Sequence, residues 1–169
     1  MVISYLRNGT IMLVISHSRA FHHNHRGPLR SLSASIQSTK SHLDPDIAAQ
    51  FTIQVCTSTS CTRKLNEAGL DQYHVLGEIY ARAQSVNLEK IMIIEDGGCQ
   101  GGKNCKMGPC VAILHNDFFG NVALEGMNSN ELLERVFHNI LTNDDVERVW
   151  NCVENAISLM EAESQNDDD

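Results

Sequence analysis

The chain predicts an α/β fold, a mixed sheet flanked by helices with an additional C-terminal helix, and three patterns carry that prediction. Phe51 to Val55 alternates with β-branched residues, as a half-buried strand does. Apolar residues recur at three and four over 72–86, 132–140 and 146–160, the period of helices with one buried face. Short apolar runs at 90–94 and 111–114 end at glycines or turn residues and suit further strands.

Taken in order, residues 1–43 read as an address rather than as folded structure. They contain no Asp or Glu, are rich in Ser, Arg and His, and show no sustained amphipathic period. Ile11 to Ile15 is a short apolar run after Arg7, and Ser18-Arg19-Ala20 places small residues where a signal peptidase needs them, leaving Phe21 as the new N-terminus. This resembles the two-part presequence of plastid proteins in algae with secondary plastids, which implies a plastid (chloroplast stroma) destination. An Arg-rich, acid-poor mitochondrial presequence is the alternative. His22, His23 and His25 belong to this basic segment rather than to a metal tract.

The strand at 51–55 leads directly into Cys56. Gln72 to Val86 is expected to bury Tyr73, Leu76, Ile79, Tyr80 and Ala83 on one stripe, and Lys90 to Ile94 to form a buried strand opening onto Gly97-Gly98-Cys99. Val111 to Leu114, a turn over Asp117 to Asn121, and Val122 to Leu124 read as a hairpin. Ser129 is placed to cap a helix carrying Leu132, Leu133, Val136, Phe137 and Ile140. A last helix starts near Asn143-Asp144-Asp145, acids suited to its positive end.

Strand, helix, strand demands a right-handed parallel unit, and a following hairpin adds antiparallel strands. Thioredoxin-like topology satisfies this order. The expected layout is a targeting presequence at 1–43, a folded domain at 48–142, an appended amphipathic helix at 143–160 available for docking, and a disordered acidic tail at 161–169.

Charge is distributed unevenly. All 21 acidic residues lie from Asp44 onward, against eight Lys or Arg there. So negative a surface argues against nucleic acid and anionic membrane, and favours a basic protein patch as partner. Nothing in the composition indicates a membrane span.

Four of the six cysteines fall into two groups. Cys56 to Cys61 follows the first strand and Cys99 to Cys105 follows a later one, so in a parallel pair both loops emerge at one edge of the sheet. Four converging thiolates suit an iron–sulfur cluster, and four or five intervening residues leave room for bridging sulfides. Gly97, Gly98, Gly101 and Gly102 are expected to supply positive φ angles that aim N–H groups at sulfur, while Lys103 and Lys106 offset the cluster's charge. Structural zinc on the same thiols is the rival, although zinc pairs are commonly tighter. The Cys-x-x-Cys of a dithiol enzyme is absent. Cys152 and Trp150 belong to a helix stripe, and His74, His115 and His138 are dispersed.

These residues carry a resemblance. Val55-Cys56-Thr57 through Cys61, Gly98-Cys99-Gln100-Gly101, and Cys105-Lys106-Met107-Gly108-Pro109 before an apolar strand resemble the thioredoxin-like [2Fe–2S] ferredoxins, whose relatives include the cluster-bearing small subunit of NADH dehydrogenase. The likeness spans 51–141 and is similar to a plastid group with Cys-Thr-x-x-x-Cys, Gly-Cys-x-Gly and a late Gly-Pro. It implies a [2Fe–2S] cluster on Cys56, Cys61, Cys99 and Cys105, and a soluble single-electron carrier. It also allows a subunit of a larger oxidoreductase, or a homodimer. The family spaces its last two ligands by three residues, whereas Cys99 and Cys105 enclose five. Cys110 is therefore the rival fourth ligand, with Cys105 preferred because Gly108-Pro109 follows it at the family's offset.

Overall fold

The computed structural model describes residues 43–99 and 102–165. Residues 1–42 of the expected presequence, with the cleavage before Phe21, and residues 166–169 of the expected tail lie outside the described residues.

Four strands form one mixed sheet in the order β2-β1-β3-β4. The strands are β1 (Phe51–Cys56), β2 (Ile93–Gly97), β3 (Val111–His115) and β4 (Val136–Phe137). β1 runs parallel to β2 and antiparallel to β3, and β3 runs antiparallel to β4. The helices are α1 (Pro45–Ala48), α2 (Thr59–Glu67), α3 (His74–Ser85), α4 (Ser129–Glu134) and α5 (Asn143–Ser164). The molecule is thus α/β, with the strand order and directions expected of a thioredoxin-like chain and a long C-terminal helix.

Phe51, Ile53 and Val55 alternate inward along β1 and meet Val111 and Ile113 of β3 in the main core. Helices α3 and α5 cover that core. On α3 the buried side chains are Val75, Ile79 and Ala83, at i, i+4 and i+8, while Tyr73 and Tyr80 are close to half exposed. Ile79 and Ala83 are buried and Leu76 partly so, as expected, whereas Val75 takes the inward place expected of the two tyrosines. The tyrosine hydroxyls keep their contact with water where Val75 and Ala83 have no polar group to satisfy.

Helix α5 is part of this domain rather than an appendage. Val146, Val149, Trp150, Val153 and Ile157 belong to the same core as the sheet. Thr142 and Asp145 form a reciprocal capping box at its start, with Asp144 and Asp145 in the first turn. Its helical residues continue to Ser164, so Glu161 to Ser164 are ordered helix and not tail. Leu43, assigned to the presequence, is buried, and Asp44 caps α1, which packs on α5 with the Asp44 N–H donating to Glu161 Oε1. The folded domain therefore extends ahead of residue 48.

Two further expectations are corrected. The run at 90–94 is not a buried strand: β2 begins at Ile93, which is 54% exposed, because β2 is an edge strand with a neighbour on one side only. The hairpin after β3 shrinks to a bridge between Leu114 and Asn121, together with Val122 N–H donating to Ile113 O at 2.8 Å.

The helix expected over 129–140 ends at Glu134. Asn128, not Ser129, is its N-cap, and Arg135 adopts the left-handed conformation at φ 56°. The chain then becomes β4, and Glu131 holds this turn together. Its buried carboxylate accepts the N–H of Asn128 and of His138, each at 2.9 Å, and receives Arg148 through two nitrogens at 2.9 and 3.1 Å. Burial raises its carboxyl pKa, but Arg148 and the two N–H groups outweigh burial and hold it below the ordinary range.

Candidate metal centre

The parallel pairing of β1 with β2 brings the two cysteine loops to one end of the sheet. Cys56 closes β1 in register with Gly97, which closes β2, and Cys99 follows two residues later. Cys56 is buried and Cys99 exposed. Cys61 does not lie in a loop. It occupies the first turn of α2, a helix that Ser58 opens and that buries Cys61 and Leu65 on one side. Cys105 sits within a 3₁₀ turn, Gly102–Met107, rather than in open loop.

Two thiol–thiol contacts join the four candidate ligands, and a fifth thiol, Cys110, also meets Cys61. Cys61 Sγ donates to Cys56 Sγ at 3.3 Å, and Cys99 Sγ and Cys105 Sγ are in contact at 3.0 Å. Cys56 Sγ also donates to Ser58 Oγ at 3.2 Å. All six cysteines of the chain carry thiols rather than disulfides.

Neighbouring thiols shift one another's ionisation. Contact with Cys99 raises the Cys105 pKa, helped by burial and by the charges of Cys99, Cys61 and Cys56. The Cys61 pKa is raised chiefly by the thiol of Cys110, with burial adding to it, against lowering contacts from Cys56 and Ser58. Among the described residues, no three His, Cys, Asp or Glu side chains stand together in a position to hold one ion.

Cys110 occupies a different place from Cys105. It is buried in one small second core with Cys56, Cys61, Ala112 and Val136, its thiol in hydrogen-bonding contact with that of Cys61, and its carbonyl accepts the Cys56 N–H at 2.9 Å. Cys105 partners Cys99 nearer the surface. Cys152 is remote from both, on α5, where burial pushes its thiol up to about 11.

The glycines act differently from expectation. The left-handed glycines among the described residues are Gly69, Gly120 and Gly126, and none adjoins these pairs. Gly97 is a strand residue, Gly98 has open space around it, and Gly101 lies outside the described residues. Gly108 is the glycine that matters: a Cβ there would overlap Cys61 Sγ. A cis peptide joins it to Pro109, whose carbonyl accepts the Ile140 N–H at 3.1 Å.

Lys64 was not singled out by the sequence pattern, although its place after Cys61 on α2 puts it beside the site. Its ammonium donates to the carbonyl of Lys106, tying α2 to the 3₁₀ turn. Arg63 and Lys106 are exposed nearby. No protein-family model, curated protein or solved structure matches the chain.

Each thiol pair, taken by itself, is close to the spacing of two thiolates on one metal. Metal–sulfur bonds of about 2.3 Å in a tetrahedral site set two thiolates on one metal roughly 3.8 Å apart, so each pair needs to open by less than an ångström.

Proposed function

We propose that this chain carries a [2Fe–2S] cluster, with Cys56 and Cys61 holding one iron and Cys99 and Cys105 the other, and that it passes single electrons. The observation that carries this reading is the arrangement of four thiols as two close pairs at one end of the sheet. A two-iron cluster takes two thiolates per iron, whereas structural zinc takes all four around one centre. When bound, the cluster supplies a one-electron couple.

The chain's own residues supply the setting. Cys56 and Cys61 are fixed by a strand end and a helix start, which limits rearrangement between oxidation states. Lys64 and Lys106 offset the negative charge of a four-thiolate cluster and favour its reduced state. Exposed Cys99 marks the side on which a partner approaches. The acidity of the chain as a whole attracts a partner with a basic patch, either a separate carrier or a neighbouring subunit of an oxidoreductase. The plastid stroma is the proposed destination, with the mitochondrion as alternative.

A serine scan with visible absorption tests the ligand set. Under anaerobic purification, Ser at Cys56, Cys61, Cys99 or Cys105 is expected to bleach or shift the charge-transfer bands, while Cys110→Ser and Cys152→Ser keep them. Loss of the bands in Cys110→Ser with retention in Cys105→Ser would reverse the assignment of the fourth ligand.

A further inference from the structure

A serine ahead of a helix ordinarily uses its side-chain oxygen to accept an N–H of the first turn. Asp44, Asn128 and Thr142 do so with their side chains at the starts of α1, α4 and α5. Ser58 opens α2 with the backbone of a cap, φ −61° and ψ 157°, and its carbonyl accepts the Thr62 N–H at 2.9 Å. Its hydroxyl makes no capping hydrogen bond among the described residues. It stands instead 3.2 Å from Cys56 Sγ, and it is also in hydrogen-bonding contact with the Cys61 thiol.

One hydroxyl is thereby shared by both sulfurs of the Cys56–Cys61 pair, at the point where β1 ends and α2 begins. Between the thiols and the serine, Cys56 Sγ is the donor and Ser58 Oγ the acceptor. A metal displaces the thiol hydrogens, because cysteine ligates as the thiolate. Neither sulfur can then donate, and the hydroxyl, whose hydrogen rotates to suit its neighbours, turns donor. Cys56 and Cys61 are both buried, so bulk water is a poor substitute for that hydrogen bond.

We propose that Ser58 donates a hydrogen bond to the Cys56 thiolate of the bound cluster and thereby raises its reduction potential, an inference that rests on the [2Fe–2S] reading above. A hydrogen bond to a ligand sulfur favours the state with more negative charge, which is the reduced one. No covalent bond forms or breaks in that step: the redox partner supplies one electron, and the hydroxyl keeps its hydrogen. Ser58 is thus a positioning residue that acts through Cys56. Lys64 and Lys106 bring positive charge from α2 and the 3₁₀ turn, whereas the hydroxyl of Ser58 reaches the sulfur itself.

Reductive titration of the anaerobically purified full chain, followed by visible absorption, reads the potential directly. Ser58→Ala is expected to keep the charge-transfer bands and to weaken the reduction equilibrium roughly three- to tenfold, a fall of about 30–60 mV by the one-electron conversion. Ser58→Thr and Ser58→Val have one shape and differ in the hydroxyl. The threonine should hold the potential near that of the unsubstituted chain, and the valine should match the alanine. The thermal midpoint of cluster-free Ser58→Ala should stay close to that of the unsubstituted chain, because no capping bond is lost. A purely structural cap would do the reverse, lowering the midpoint and leaving the potential unmoved, and that result would overturn the proposal. A potential as low in Ser58→Thr as in Ser58→Val would overturn it too, with the cluster reading intact in both cases. An unsubstituted chain without the bands would overturn the cluster reading and this inference together.

Discussion

The Sγ of Cys61 lies against Gly108 with no room for a methyl group between them. The contact joins the first turn of α2 to the segment that leads into β3, and it places a conformationally ordinary glycine under a steric constraint. Gly108→Ala is expected to push Cys61 off its partner Cys56 and to destabilise the fold by about 1–3 kcal/mol, the usual cost of overpacking. Visible absorption and thermal melting of this variant check both effects. A stable Gly108→Ala protein with unaltered absorption would remove Gly108 from the account of the site.

Glu131 and Arg148 form the principal buried ion pair of the domain, with Arg148 about one third exposed and set over the Phe137 ring at 5.3 Å. Glu131→Gln is expected to cost about 2–3 kcal/mol, the range for hydrogen bonds to a charged group, with solvent access to Arg148 arguing against more. Denaturant melts at pH 7 measure it.

The same carboxylate predicts an acid dependence. Its native pKa lies below its ordinary value of 4.5, so the native state binds fewer protons there than the unfolded chain does. The resulting stability is complete above that ordinary value and is lost as pH falls through the depressed native value. Asp145, where burial is outweighed by Thr142, the Leu141 N–H and Arg148, acts in the same direction. Melts repeated from pH 5 down to pH 3 should show this loss, and Glu131→Gln should flatten it.

Helix α3 offers a test of its buried face. Ile79→Ala should cost about 2–5 kcal/mol, because the side chain is fully buried in the main core. Tyr80→Ala, next to it but 45% exposed, should cost clearly less. Equal effects in denaturant melts would contradict the orientation described for α3.

At the start of α5, Thr142 Oγ1 accepts the Asp145 N–H at 3.2 Å while the Asp145 carboxylate accepts the Thr142 N–H at 2.9 Å. Thr142→Ala should cost about 1 kcal/mol, and Thr142→Ser should restore most of it. Thermal melts of the two variants make the comparison.

The features legible in the sequence were those with a long or repeated signal. The β1 alternation and the α5 stripe both persisted over enough residues to be read locally. Features decided by tertiary contact were not. Helix α2 begins in the run Thr57-Ser58-Thr59-Ser60, whose side chains suit turns as well as helix starts, so the local pattern does not separate a loop from a helix at Cys61. The apolar spacing at Val136, Phe137 and Ile140 continues a helical period across a break. The strand pairing of Val111 with Phe137 and the contacts of Glu131 with His138 and Arg148 override it. His115 shares the inward face of β3 with Val111 and Ile113, but the run read as strand stopped at Leu114, and Phe51 and Phe118 pack against its ring.

The proposed cluster has a fixed stoichiometry, one two-iron centre on two thiol pairs. The most direct test is iron and acid-labile sulfide analysis of anaerobically purified full-length protein, with electron paramagnetic resonance before and after dithionite. The account predicts two irons and two sulfides per chain, silence when oxidised, and an S = 1/2 signal when one electron is added. Stoichiometric zinc with no sulfide and no signal, or a chain that takes up neither metal, would contradict it.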